Sequence, residues 1–197
     1  MIDYDDRPTT HVVCIGDSIT AGSGAAQGYP VRLQAYLPGV VVQGFGAPST
    51  TAGAYGPDPY TASQPYADLV AMLSALPASA GVDITVMLGT NDAVSGAFTA
   101  EAYAADYEAL VTTLEAIAPH PHVYVVVPPP SLWNVIVPTV LAPLLGVIAD
   151  RPGRALVDIH GPMLGAVWLM IPDDWVHPND NGHAFIARLL RAARVGS

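Results

Sequence analysis

The 197-residue sequence contains no lysine, and its seven basic residues are all arginines. That absence excludes a Walker A phosphate loop and every reaction that forms a Schiff base on the protein. Cysteine occurs once, as Cys14, so an internal disulfide and a multi-thiolate zinc site are excluded as well. Charged residues make up only 12%, and the 17 acidic side chains leave a formal net charge of −10. A surface of that sign argues against nucleic acid as a partner, because affinity there comes from neutralising phosphates. Long hydrophobic runs are missing too. The longest apolar stretch, Val135 to Ala149, is interrupted by Pro138 and Pro143, which argues against stable membrane insertion. The first residues, Met1-Ile2-Asp3-Tyr4-Asp5-Asp6-Arg7-Pro8, are acidic and polar and do not read as a signal peptide. The expected location is the cytoplasm, or outside the cell with a signal already removed.

What is present is apolar: hydrophobic residues make up 51%. The length fits one domain over residues 1–197, with an acidic extension at 1–10. Five short runs read as buried strands: His11–Ile15, Val40–Val42, Ile84–Leu88, Val123–Val127 and Ala155–Ile159. Continuous β-branched runs, in place of alternation, are the pattern of parallel strands covered on both faces. Helical periodicity lies between them. Tyr66, Leu69, Val70, Leu73 and Leu76 share one face. Tyr103, Tyr107, Leu110, Leu114 and Ile117 share another, with Thr99 as the expected N-cap. Phe185, Ile186, Leu189 and Leu190 mark a C-terminal helix, and a weaker one covers Pro30 to Leu37. Alternating strand and helix predicts an α/β protein: a three-layer α/β/α sandwich of flavodoxin-like layout around a parallel sheet.

In open parallel sheets, ligands bind beyond the carboxyl ends of the strands. The residues following the expected strands are Gly16-Asp17-Ser18, then Gly44-Phe45-Gly46-Ala47-Pro48-Ser49, then Gly89-Thr90-Asn91-Asp92, and finally Asp173-Asp174-Trp175-Val176-His177-Pro178. A serine, a glycine-rich turn, an asparagine and an Asp/His pair thus fall on one sheet edge, which is the part list for acyl transfer. Ser18 is the candidate nucleophile, His177 its base and Asp174 the carboxylate that orients the imidazole. The backbone N–H of Ser18, an N–H near Gly46 and the Asn91 amide are the candidate oxyanion donors. Each residue also has an ordinary reading. Ser18 suits a helix N-cap, Asn91 an Asx-turn, the glycines a tight turn, and Asp174 with His177 a loop ion pair.

Taken in order, these segments resemble the SGNH/GDSL-type serine hydrolases. Gly16-Asp17-Ser18-Ile19 is similar to the family block that carries the nucleophile. Gly89-Thr90-Asn91-Asp92 is similar to the Gly-x-Asn-Asp block with its oxyanion asparagine. Asp174-Trp175-Val176-His177-Pro178 is similar to the Asp-x-x-His-Pro block with acid and base. The second block departs from the usual pattern. Gly46 is the choice for its donor, while an ungapped match places Ala47 there. The resemblance implies a five-stranded sheet and a serine esterase working through an acyl-enzyme on a small-molecule ester, with no metal and no organic cofactor. A carbohydrate O-acetylesterase or a thioesterase on the same site stays open, as does a non-catalytic α/β binding module.

Several other features are set aside. Gly22-Ser23-Gly24-Ala25-Ala26-Gln27-Gly28 has the wrong spacing for a dinucleotide loop. His120-Pro121-His122 precedes a strand and so faces away from the site. His183 reads as a helix-start residue, and Cys14 as a buried thiol. Asp17 and Asp92 are expected to hold the turns carrying Ser18 and Asn91, and Trp133 and Asn134 to line the pocket. The segment Ser131 to Ala149 is expected to form short pieces broken at its prolines. Its surplus of apolar residues suggests an acyl pocket accepting chains longer than acetyl.

Overall fold

The structure is a computed structural model that describes residues 8–131 and 136–195. Five strands form one sheet: β1 (Thr9–Gly16), β2 (Val41–Gly46), β3 (Gly81–Met87), β4 (Pro121–Val127) and β5 (Arg154–Asp158). They are hydrogen-bonded in the order β2-β1-β3-β4-β5, and every neighbouring pair is parallel. Each of the five expected runs is a strand. Those at the centre, β1, β3 and β4, are almost wholly buried, which accounts for their unbroken apolar sequence.

Seven α-helices are present among the described residues: α1 (Ser18–Ala21), α2 (Tyr29–Tyr36), α3 (Gln64–Ala75), α4 (Ala100–Ile117), α5 (Ala142–Ala149), α6 (His160–Met163) and α7 (Asp180–Val195). Two buried clusters flank the sheet. Leu69 and Leu73 of α3, Tyr103, Tyr107, Leu110 and Leu114 of α4, and Leu145 of α5 fill one. Leu33 of α2, Met163 of α6, and Ile186 and Leu190 of α7 fill the other. The helices therefore lie on both faces, in three layers. Thr99 caps α4 as expected, and Ser63 and Asn179 cap α3 and α7. The Ser63 hydroxyl accepts the Tyr66 N–H, the Thr99 hydroxyl accepts the Ala102 N–H, and Asn179 Oδ1 accepts from Asn181 and Gly182.

Two expectations are corrected. The glycines from Gly44 to Gly46 are not a loop after β2 but its last residues. A side chain at Gly46 would place its Cβ 2.1 Å from the Ala21 nitrogen, and one at Gly44 would press on Pro30 at 3.1 Å. They are glycines because α1 and α2 lie directly against the strand. The apolar segment is not broken at its prolines either. A π-helical turn, Val137–Leu141, runs straight into α5. The Ala142 N–H bonds back to the Val137 carbonyl, so the register shifts just before Pro143, which has no N–H to give. Val137, Leu141, Leu145 and Ile148 then form one buried stripe on the sheet. Packing accounts for that stripe, while Val147 on the outer side is left 72% exposed. Trp133 and Asn134, expected to line the pocket, lie outside the described residues.

Candidate active site

The chain order reverses direction between β1 and β3, so the crevice beyond their carboxyl ends is the topological switch point. Ser18 follows β1 there and opens α1. Asp17 caps α1, its Oδ1 accepting the Ile19 N–H at 2.9 Å. The Ser18 N–H is among those that a helix leaves without an internal partner. Facing it, the Ser18 hydroxyl lies 2.8 Å from His177 Nε2. The opposite ring nitrogen, Nδ1, lies 2.8 Å from Asp174 Oδ2. An Nδ1–H donating to that carboxylate leaves the Nε2 lone pair to accept the Ser18 proton.

The turn carrying Asp174 and His177 is tight. Asp173 and Trp175 have positive φ, at 70° and 56°, which is uncommon for residues with side chains. That conformation folds Asp174 back so that its Oδ1 accepts the N–H groups of Val176 and His177 at 3.0 and 3.2 Å. Burial works against the Asp174 charge, but the His177 ring and these two N–H groups outweigh it and hold the carboxyl below its ordinary value. The segment does not follow β5 directly. α6 and a 3₁₀ turn intervene, and the chain returns through an antiparallel strip in which the Ile171 N–H donates to the His177 carbonyl at 2.9 Å.

Asn91 follows β3, with its Nδ2 donating to the Thr50 carbonyl at 2.8 Å. One of its two N–H bonds is used there, and the amide is thereby fixed with the other to spare. Asp92 does not hold the Asn91 turn as expected. Its carboxylate instead accepts the N–H groups of Ala52 and Gly53 at 2.9 and 3.0 Å and the Tyr55 hydroxyl at 2.7 Å. It braces the loop after β2. In that loop the Ala47 N–H donates to the Gly16 carbonyl at 2.9 Å and is therefore already engaged.

Sequence reasoning missed His183. This buried ring accepts the Tyr29 N–H on Nδ1 at 3.1 Å and donates from Nε2 to the Ser23 carbonyl at 3.1 Å. The Ser23 N–H in turn donates to the Ser18 carbonyl at 2.9 Å. His183 thus ties the nucleophile's loop to the helix that follows His177. The adjoining Gly24, at φ 93°, is packed so closely that a Cβ would meet the Pro178 carbonyl at 2.6 Å and the His177 Cβ at 3.0 Å. The available signal was Gly182-His183, six residues past the base at the start of a strongly amphipathic helix. Cys14 sits inside β1, and burial pushes its thiol up to about 12, which suits a packed side chain and not a nucleophile. Among the described residues, no group of three or more His, Cys, Asp or Glu side chains is placed to hold a metal ion, and no helix is long and apolar enough to cross a membrane.

The family model described as GDSL-like Lipase/Acylhydrolase matches residues 14–185, from β1 into α7. The chain belongs to that family. The GDSL-like chain is 26% identical over 211 residues to an acetylxylan esterase of Xylanibacter ruminicola, a match covering 92% of this chain and 42% of that protein. It therefore spans less than half the length of this curated relative. Solved structures share the fold. An acetylxylan esterase from Geobacillus stearothermophilus superposes with a TM-score of 0.67 at 18% identity, covering 93% of each chain. A two-domain esterase active on acetylated mannans, crystallised with mannopentaose, gives 0.67 at 20% identity over 98% of this GDSL-like chain and 51% of the other.

Proposed function

We propose that this GDSL-like chain is a serine esterase that removes acyl groups, and acetyl groups on carbohydrate in particular, through a covalent acyl-enzyme. The observation that carries the reading is the unbroken chain from the Ser18 hydroxyl to His177 and on to Asp174, with both contacts at 2.8 Å. A serine hydroxyl becomes nucleophilic only beside a base, and a base works best when a third group fixes its tautomer. In this reading Ser18 Oγ attacks the ester carbonyl while His177 Nε2 takes its proton. The carbonyl electron pair moves onto oxygen. The Ser18 N–H, the spare Asn91 N–H and the Gly46 N–H are the donors that receive it. The pair then returns, the C–O bond to the alcohol breaks, and His177 gives its proton to the departing oxygen. Water repeats the sequence on the acyl-enzyme, releasing the acid and free Ser18.

Acetylated carbohydrate is the favoured substrate class because relatives named for acetylxylan and acetylated mannans share the family or the fold. The test is covalent. An organophosphonate should label Ser18 and no other residue, and Ser18→Ala should abolish both labelling and hydrolysis of p-nitrophenyl acetate while leaving the unfolding temperature near that of the wild type. A Ser18→Ala protein that keeps a substantial share of kcat overturns the proposal in favour of a binding module.

A further inference from the structure

A large aromatic ring left in water is the anomaly on this molecule: Trp168 is 69% exposed and Leu164 beside it 66%. Both lie in the connection between α6 and α7, beyond the carboxyl end of β5 and so on the sheet edge that carries the candidate active site. There they line a groove of about 520 Å³ together with Asn181, Phe185 and Arg188 of α7. The Trp168 backbone is held firmly, since Asn179 Nδ2 donates to the carbonyls of Trp168 and Met170 at 2.7 and 2.9 Å. The strip is continuous with the site. Leu169 to Ile171 runs antiparallel to His177–Asn179, with the Asn179 N–H donating to Leu169 and the Ile171 N–H to His177. Trp168 stands in the 3₁₀ turn Val167–Leu169 that leads into this strip.

We propose that this groove holds an uncharged polysaccharide chain of pyranoses, with Trp168 as the platform on which one sugar ring stacks while another residue of the same chain presents an ester to Ser18. The inference rests on the carbohydrate-esterase reading and names the part of the substrate that lies outside the reacting centre. A pyranose has two apolar C–H faces and a rim of hydroxyls. An open indole matches the faces, and the amide of Asn181 and the guanidinium of Arg188 match the rim. The Arg188 guanidinium lies over the Phe185 ring at 5.7 Å, which keeps it at the groove wall. An acyl chain would have no use for these two polar groups. An anionic partner such as an acidic lipid surface would meet a protein of net charge −10.

The test uses unacetylated oligosaccharides, which bind without reacting. Calorimetric titration of the wild type should show binding of xylohexaose or mannopentaose, the two arms separating a xylan from a mannan as the chain. Trp168→Ala should weaken that binding by about tenfold. The ratio of kcat/KM on acetylated polymer to kcat/KM on p-nitrophenyl acetate should fall by a similar factor. Wild-type turnover of acetylated polymer without binding of either oligosaccharide, or an unchanged ratio in Trp168→Ala, overturns the groove and leaves the esterase reading standing. Oligosaccharide binding lost in Trp168→Ala, with no deacetylation of any glycan by the wild type, supports the groove and overturns the carbohydrate-esterase reading. Binding to phosphatidylglycerol vesicles that Trp168→Ala abolishes assigns the surface to lipid and overturns the proposal.

Discussion

Asp17 stands next to the nucleophile and is the carboxylate of the site that burial penalises most clearly. Its Oδ1 accepts the Ile19 N–H, and its Oδ2 is buried with only the Thr90 hydroxyl near enough to ease its charge. Burial, with a smaller push from the Asp92 charge, raises its pKa from 3.8 to about 6. The folded state then holds this proton more tightly than the unfolded chain does. The stability gained is fully present below the ordinary carboxylate value and is lost as the pH rises through about 6. At neutral pH the charged group costs up to about 3 kcal/mol on that scale. Asp17→Asn keeps an acceptor for the Ile19 N–H and carries no charge. Its melting temperature relative to the wild type should therefore improve steadily between pH 4 and pH 7, read by calorimetry. A difference that stays flat across that range would show that the cost lies elsewhere. None of this is legible in Gly16-Asp17-Ser18, because the burial of one carboxylate oxygen depends on what β3 and its following loop bring beside it.

Among the elements, α7 does more for the site than its amphipathic pattern announces. It begins three residues after His177, and its His183 reaches across to the loop between α1 and α2. Burial, with the positive charge of Arg32, pushes the His183 pKa down, against the raising effects of the Ser23 carbonyl and the Asp180 charge; His177 also disfavours its protonation. The ring is thus kept neutral, as a donor on one side and an acceptor on the other. His183→Phe preserves the ring but strands the Tyr29 N–H and the Ser23 carbonyl, at about 1–3 kcal/mol in stability. Because Ser23 is bonded to Ser18, the spacing of nucleophile and base should loosen too. Steady-state kinetics should then show kcat falling with little change in KM, and slower organophosphonate labelling of Ser18. A loss of stability with kcat intact would reduce His183 to a packing residue. The periodicities of α3, α4 and α7 were readable because each buries one stripe on the sheet. The π turn before α5 was not readable, since only the sheet beneath it makes a continuous helix worth the irregular hydrogen bonding at Pro143.

For the molecule as a whole, the exposed edge strand β5 is anchored by one buried cation. The side chain of Arg154 is only 3% exposed, and it bonds both carboxylate oxygens of Glu108 and of Glu115 on α4 at 2.7 to 3.0 Å, as well as the Ile148 carbonyl of α5. Sheet, α4 and α5 meet in this cluster. Glu108 feels some cost from burial, but Arg154 and Arg151 outweigh it and hold its carboxyl below the ordinary value. Arg154→Met leaves Glu115 without this partner and Glu108 with Arg151 alone. Both glutamates are about a quarter exposed and regain some water, so the expected loss is about 2–4 kcal/mol by urea denaturation, short of a fully buried pair. A change below about 0.5 kcal/mol would class the cluster with ordinary surface ion pairs.

The sequence alone determined what depends on local pattern. Unbroken β-branched runs fixed five strands, 3.6-residue periodicity fixed the main helices, and the segments at Ser18 and Asp174–His177, which the fold brings into contact, pointed to one sheet edge. Such signals are written in neighbouring residues. What depends on residues far apart in the chain was decided only by the tertiary structure. The 2.8 Å contact of Ser18 with His177 joins positions 159 residues apart. Asp92 turned from the Asn91 turn to the β2 loop, and His183 from helix start to strap, because their partners arrive from 37 to 160 residues away. The glycines of β2 read as a loop until α1 and α2 were seen lying on them, since a missing Cβ records a close approach but not what approaches.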